Sequence, residues 1–268
     1  MFSAEWLSLR EPADTAARSD ALTHALADVL PDDCLVRILD LASGTGANAR
    51  YLCDKLRGEQ EWLLTDHDTA LLAVAPNRLT SADGRTCDIA TRCTDLSRLD
   101  NEDLFRNRQL VTASALLDLV SESWIQRLAQ HCRRSHAAAL FALTYDGRIE
   151  CDPVDSGDGM IRELVNRHQR TDKGFGPALG PAACGSAERS FVDAGYTVRR
   201  AASNWILKPD MSELQRQLID GWAVAARDID THRSEAIEEW RGRRLSFVKQ
   251  GASTIVVGHD DLLAVPQD

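Results

Sequence analysis

The sequence predicts an α/β domain built on a mostly parallel sheet with helices on both faces. Three observations carry that expectation. Short apolar runs at residues 35–39, 62–64, 110–113 and 137–143, with a weaker one around Ile89, alternate with helix-like or polar segments. The 268 residues are enough for one large core, and 44% hydrophobic with 27% charged residues is ordinary for a globular chain. No repeat, linker or low-complexity stretch divides them, so residues 1–268 are expected to form a single domain.

Each element has its own signal. Leu22, Ala25, Leu26, Val29 and Leu30 recur at helical spacing before Pro31, Asp32 and Asp33 stop the helix. Strands and helices then alternate as far as Leu143. Residues 145–158 are rich in Asp and Gly, 161–169 read as helix, and 170–181 hold Gly174, Gly176, Pro177, Gly180 and Pro181, so a long irregular insertion is expected. A helix near 186–194 ends at Gly195, and 196–207 reads as strand. Two amphipathic helices follow, one carrying Leu214, Leu218, Trp222, Ala225 and Ile229, the other Ile237, Trp240, Arg244 and Val248, before a last strand at 253–257.

Lys and Arg number 31 against 41 Asp and Glu, a net charge of -10, which disfavours tracking a polyanionic backbone and makes nucleic acid an unexpected partner. No run of about 18 apolar residues is present to span a bilayer, so no membrane partner is expected. Glu5, Glu11, Asp14 and Asp20 interrupt the first twenty residues, so no secretory signal is expected and the protein reads as cytoplasmic. Seven scattered cysteines without a Cys-x-x-Cys pair suggest reduced, passive thiols and no metal.

The most informative segment is 35–52, where an apolar strand runs into Asp40-Leu-Ala-Ser-Gly44-Thr-Gly46-Ala-Asn-Ala49 and a helix begins. Two glycines at that turn let a ligand approach the backbone, and the helix N-terminus offers free N–H groups. The turn also satisfies a relaxed dinucleotide fingerprint, with Asp66 after the next strand able to hold a ribose in either reading. Asp40 separates the two: a carboxylate there would face a dinucleotide's pyrophosphate with like charge, whereas a cationic ligand would welcome it.

Ile38-Leu-Asp-Leu-Ala-Ser-Gly-Thr-Gly46 resembles the first motif of class I S-adenosylmethionine-dependent methyltransferases. Trp62-Leu-Leu-Thr-Asp66, Cys93-Thr-Asp95-Leu96 and Val111-Thr-Ala-Ser-Ala-Leu-Leu-Asp118 resemble, in order, its second strand, the turn flanking adenine and the fourth strand. The resemblance covers residues 35–143. It implies a seven-stranded, mostly parallel, Rossmann-like sheet ending in an antiparallel strand, with S-adenosyl-L-methionine as cofactor and S-adenosyl-L-homocysteine as product. Carried over, Gly44 and Gly46, with Ala42, Ser43 and Thr45 around them, would lie under the methionine part and Asp40 near its ammonium. Asp66 would hold the ribose hydroxyls, His67 and Asp68 would line the rim, Thr94, Asp95 and Leu96 would border adenine, and Ser114 and Ala115 the methyl group. Ser43 departs from the family's usual Gly or Cys without harm. Asp66 as a helix cap and Asp95 as a turn residue remain the plain alternatives.

The resemblance makes the chain an expected methyltransferase, with an NAD(P)-dependent oxidoreductase or a non-catalytic cofactor-binding protein as alternatives. Residues 35–144 would be the cofactor-binding core, 1–34 a helical cap, and 145–195 with 208–250 inserted helices over the acceptor site. In-line methyl transfer needs few catalytic groups. Asp118 follows the fourth strand near the expected methyl position, as base or as helix cap. Tyr145 follows the fifth, facing the site or forming an Asp146-Gly147 turn, and His168 is the imidazole candidate. Arg167, Arg170, Lys173 and Phe175 suit a lid that recognises an acidic or polar small molecule, or else a solvated loop. No Asn-Pro-Pro-Tyr or Pro-Cys signature marks a base methylator, and a monomer or homodimer is expected. The stretch from Trp6 to Asp14 either folds over the cofactor or caps a surface helix.

Overall fold

The computed structural model describes residues 3–267. In chain order the elements are α1 Ala4–Ala17, α2 Asp20–Val29, β1 Val36–Leu41, α3 Ala47–Cys53, β2 Gln60–Asp66, α4 Thr69–Val74, β3 Arg78–Thr80, β4 Thr86–Cys93 and β5 Leu110–Ser114. They continue as α5 Glu122–Ser135, β6 Ala138–Asp152, α6 Asp158–Gln169, α7 Ala183–Asp193, β7 Tyr196–Ala202, β8 Trp205–Leu207, α8 Ser212–Ile229, α9 Ser234–Lys249 and β9 Thr254–Pro266. Serine side chains start the first two helices, Ser3 accepting from the Trp6 N–H and Ser19 from the Leu22 N–H.

The strands form one sheet in the order β3-β4-β2-β1-β5-β6-β9-β7, with β8 on β9. The β4-β2-β1-β5-β6 pairs are parallel and β9 is antiparallel to its neighbours. This is the expected sheet with one addition, the three-residue strand β3, too short for periodicity to reveal, and with the strand expected over 196–207 broken into β7 and β8, both antiparallel to β9.

Three side-chain cores hold the layers. One packs α5 and α7 on one face through Trp124, Phe141 and Phe191. Another packs α2 and α3 on the opposite face through Leu26, Leu52 and Trp62. The third covers the far ends of β6 and β9 with α6, α8 and α9 through Ile161, Trp222 and Trp240, and α1 joins it with Ala13. Among the described residues no helix is long and apolar enough to cross a membrane.

Three local expectations are corrected. Residues 145–152, read as irregular, continue β6, because β9 pairs with them through register shifts between Phe141 and Thr144 and between Tyr145 and Ile149. The last strand does not stop at Val257. It runs through Gly258, His259, Asp260 and Asp261, whose polarity masked it; the last three are buried, Asp260 paired with Arg200 and Asp261 accepting from the Leu143 N–H at 2.8 Å. Finally, Cys53 at the end of α3 and Cys87 at the start of β4 form a disulfide, brought together by packing across 34 residues of sequence that no spacing motif announces.

Candidate active site

The parallel strands deliver their C-terminal ends to one edge, and three residues with side chains take positive φ there. Ala42 (50°) follows β1, Ala115 (52°) follows β5, and Leu143 (55°) lies in β6. Such angles are strained for a residue with a Cβ and gather at functional sites.

Between β1 and α3 the chain turns through Gly44 at φ 54° and Gly46 at φ 81°. The Gly44 N–H donates to Asp66 Oδ2 at 2.9 Å and the Asp68 N–H to Asp66 Oδ1 at 3.0 Å, so one carboxylate ties the glycine turn to the loop after β2. Asp66 is not the helix cap. Asp68 has that role, accepting from the Ala70 and Leu71 N–H groups at the start of α4. The exposed ring of His67 has Nδ1 3.3 Å from Asp66 Oδ1. The Thr94 N–H donates to the Asp66 carbonyl at 2.8 Å, and the exposed Asp95 accepts from the Ser97 N–H at 2.8 Å in a turn. Leu96 points into the core below, its carbonyl accepting from Trp124 Nε1.

Asp40 lies behind the turn, fully buried. Asn48 on α3 donates to its Oδ1 at 2.8 Å, and Arg18 Nη1 in turn donates to Asn48 Oδ1 at 2.8 Å. Burial pushes its carboxyl up to about 7, against the Asn48 bond and the Arg18 charge, and Oδ2 has no partner. Helix α1 closes over the same region. A Cβ added to Gly44 would come within 2.9 Å of Leu7 Cδ1, and Arg50 on α3 bonds both Glu11 of α1 and the Thr45 carbonyl.

At the next part of the edge, Asp118 sits in a 3-10 turn, Leu117–Leu119, 6% exposed, with Oδ1 unpartnered. Burial raises its carboxyl to about 6, opposed by the backbone N–H groups of Asp118 and Tyr145 and by the charge of Arg10. Tyr145 stands opposite His259 in the β6–β9 ladder, ring centroids 6.2 Å apart, and its hydroxyl donates to Asn166 Oδ1 at 2.8 Å. His259 is 5.2 Å from the Trp205 ring, and Arg10 Cζ lies 4.9 Å over that ring while its guanidinium holds Asp14. Burial, then Arg10, pushes His259 down to about 3, so the imidazole is neutral.

Sequence reasoning placed Arg10 only within a stretch that could cap the cofactor and Trp205 only near helices that could cover the acceptor, and it missed His259. The available signal for His259 was a polar run, Gly-His-Asp-Asp, directly continuing an apolar strand.

The insertion after β6 runs beside this edge. Leu179 N–H donates to the Val120 carbonyl at 2.9 Å, Phe175 meets Trp124 edge-on at 6.0 Å, and Pro181 packs on Gly147. Its cations look elsewhere: Lys173 Nζ lies 3.3 Å from His168 Nδ1 and bonds Thr171, His168 Nε2 is 3.8 Å from Asp228, and Arg167 and Arg170 are exposed.

Residues 38–138 match a family described as a methyltransferase domain. Over that span the chain is similar to methyltransferases, as the motifs within residues 35–143 imply. The chain shares its fold with the cyclopropane synthase MmaA2 from Mycobacterium tuberculosis, 12% identical at a TM-score of 0.52, covering 98% of this chain and 94% of that one. It shares it also with a putative type II methyltransferase from Anaeromyxobacter dehalogenans, 15% identical at 0.52, covering 92% and 97%. No curated protein matches the sequence.

S-adenosyl-L-methionine is the cofactor that the resemblance implies, and the residues present fit it. The turn at Gly44 and Gly46 has no Cβ where one would meet Leu7 or Leu64, a carboxylate closes its open side, and the buried Asp40 retains a free oxygen for a cation. Among the described residues no group of three His, Cys, Asp or Glu is arranged to hold a metal.

Proposed function

We propose that the chain transfers the methyl group of S-adenosylmethionine to a small polar molecule by in-line displacement at the C-terminal edge of β1, β5 and β6. The observation that carries this reading is the Asp66 carboxylate clamping the glycine turn, with the buried Asp118 along the same edge. Gly44 and Gly46, with Ala42, Ser43 and Thr45, form the floor under the methionine part. Asp40 Oδ2 answers its ammonium, and Asp66 retains acceptor lone pairs for the ribose hydroxyls. His67, Asp68, Thr94 and Asp95 border the nucleoside, and Ser114 and Ala115 the methyl end.

Bound cofactor supplies a methyl group already activated by its sulfonium, so the chain's task is to orient the acceptor, exclude water and take up a proton. Asp118 takes the proton, since its carboxyl, raised to about 6, is ionised at neutral pH. Tyr145 forms the neighbouring wall. Phe175 anchors the inserted loop against the helix that follows Asp118, while His168, Arg167, Arg170 and Lys173 would reach an acceptor only by movement of that loop. We read the enzyme as cytoplasmic, a monomer or homodimer, acting on neither nucleic acid nor membrane.

Calorimetric titration with S-adenosylmethionine, S-adenosylhomocysteine, NAD and NADP tests the reading. Both sulfur ligands should bind and neither nicotinamide should. Binding of the nicotinamides alone overturns it, and binding without turnover over a broad acceptor panel leaves a non-catalytic cofactor-binding protein.

A further inference from the structure

Tyr145, His259, Trp205 and Arg10 form a partial ring of side chains, with Asp118 beside Tyr145, whose backbone N–H reaches the Asp118 carboxylate. Tyr145 faces His259, His259 faces Trp205, Arg10 lies over Trp205, and the Arg10 charge acts on both Asp118 and His259. The charges do not cancel. Arg10 donates through Nε and Nη2 to both oxygens of Asp14, at 2.9 and 3.0 Å, so its cation is already paired. His259 is neutral. Asp118 has the backbone N–H groups of Asp118 and Tyr145 and a share of the Arg10 charge, yet its Oδ1 is buried without a donor, and His259 Nδ1 and the neighbouring Thr144 Oγ1 are buried and unpartnered as well.

A cluster with a spare carboxylate oxygen, aromatic faces and its one cation already paired lacks a donor, preferably a cationic one. Carboxylate or phosphate acceptors would meet Asp118 with like charge.

Resting on the methyl-transfer reading, we propose that the acceptor is the nitrogen of a primary or secondary amine seated in this ring, with Asp118 as its counter-ion and proton acceptor. The amine enters as an ammonium paired with Asp118 and gives up a proton before reacting. The nitrogen lone pair then forms the N–C bond as the methyl C–S bond breaks and its electron pair stays on sulfur. One proton is released for each methyl transferred, through Asp118. Tyr145 and Trp205 cover the cation's flanks, and the neutral His259 adds an unpartnered nitrogen without opposing charge.

Three probes with one ring and different head groups decide this: benzylamine, benzyl alcohol and benzoate, measured by ligand-observed NMR on the whole protein with and without S-adenosylhomocysteine. Benzylamine should bind about tenfold more tightly than the other two. Asp118→Asn, nearly isosteric, should remove that preference while S-adenosylhomocysteine affinity stays within about twofold. His259→Asn should weaken benzylamine less than Asp118→Asn does. Equal or absent binding of the three probes, tighter benzoate, or a preference that survives Asp118→Asn overturns the proposal. Failure of S-adenosylhomocysteine to bind, with the amine preference intact, removes the methyl-transfer reading and leaves the amine site standing.

Discussion

Asp261 on β9 holds Leu143 on β6 in its left-handed conformation. The Leu143 N–H donates to Asp261 Oδ1 at 2.8 Å with φ at 55°, and the other oxygen accepts from the Ser19 N–H at 2.9 Å. The same carboxylate lies 3.7 Å from the buried Arg18 Nε, whose guanidinium reaches Asn48 and through it Asp40. One side chain therefore links the acceptor end of the edge, the start of α2 and the support of the glycine turn.

Asp261→Ala should accordingly be among the most destabilising single changes in the chain. It strands a buried guanidinium and two backbone N–H groups, at a cost of about 3–5 kcal/mol. Urea unfolding measures it. A loss below about 1 kcal/mol would mean that Arg18 and Leu143 find other partners.

Asp66→Ala should weaken S-adenosylhomocysteine binding by about 1.5–3 kcal/mol, through lost charge-assisted bonds. Because Asp66 also receives the Gly44 and Asp68 N–H groups, the melting temperature should fall too, while Asp66→Asn should keep more of the stability than of the affinity. Calorimetry showing unchanged affinity would remove Asp66 from the cofactor site.

Gly44→Val should abolish cofactor binding. The residue sits at φ 54°, and its new Cβ would lie 2.9 Å from Leu7 Cδ1, so α1 must shift before any ligand is considered. Pairing it with Leu7→Ala separates the causes. Relief of the clash should restore some stability but little affinity, and full recovery of binding would place the whole effect in α1.

The alternation of strands and helices and the glycine turn were legible in the sequence because both depend on local patterns, apolar runs of strand length and a Gly-x-Gly turn after one of them. The other half of the edge was not. Arg10, Trp205 and His259 are distant in sequence, and nothing in their immediate surroundings signals that they meet one another. His259 was further hidden because Asp260 and Asp261 beside it look like a solvated turn, although each carboxylate is buried and paired, Asp260 with Arg200. The positive charge of residues 167–173 suggested an anion lid, but only side-chain geometry shows that Lys173 and His168 lean on each other and on Asp228.

The pH dependence of stability should single out Asp118. Its carboxyl is raised from an ordinary 3.8 to about 6 by burial, so between those values the folded chain binds more protons than the unfolded one. Stability must then fall as pH rises through that window and level off above it, the opposite of a salt-bridged carboxylate. Asp40, raised to about 7, adds a similar slope slightly higher, so the wild-type curve alone does not separate the two. The difference between Asp118→Asn and wild type does, because Asp40 is common to both. That difference should be near zero below pH 4 and grow to about 2–3 kcal/mol in favour of the variant by pH 8, since asparagine carries no charge to bury. The methyl-transfer rate should move the other way, rising in the wild type as Asp118 ionises near pH 6 and staying low and flat in the variant. A variant no more stable than wild type at pH 8 would show that Asp118 ionises without hindrance, and with it would go the argument that its free oxygen waits for a donor.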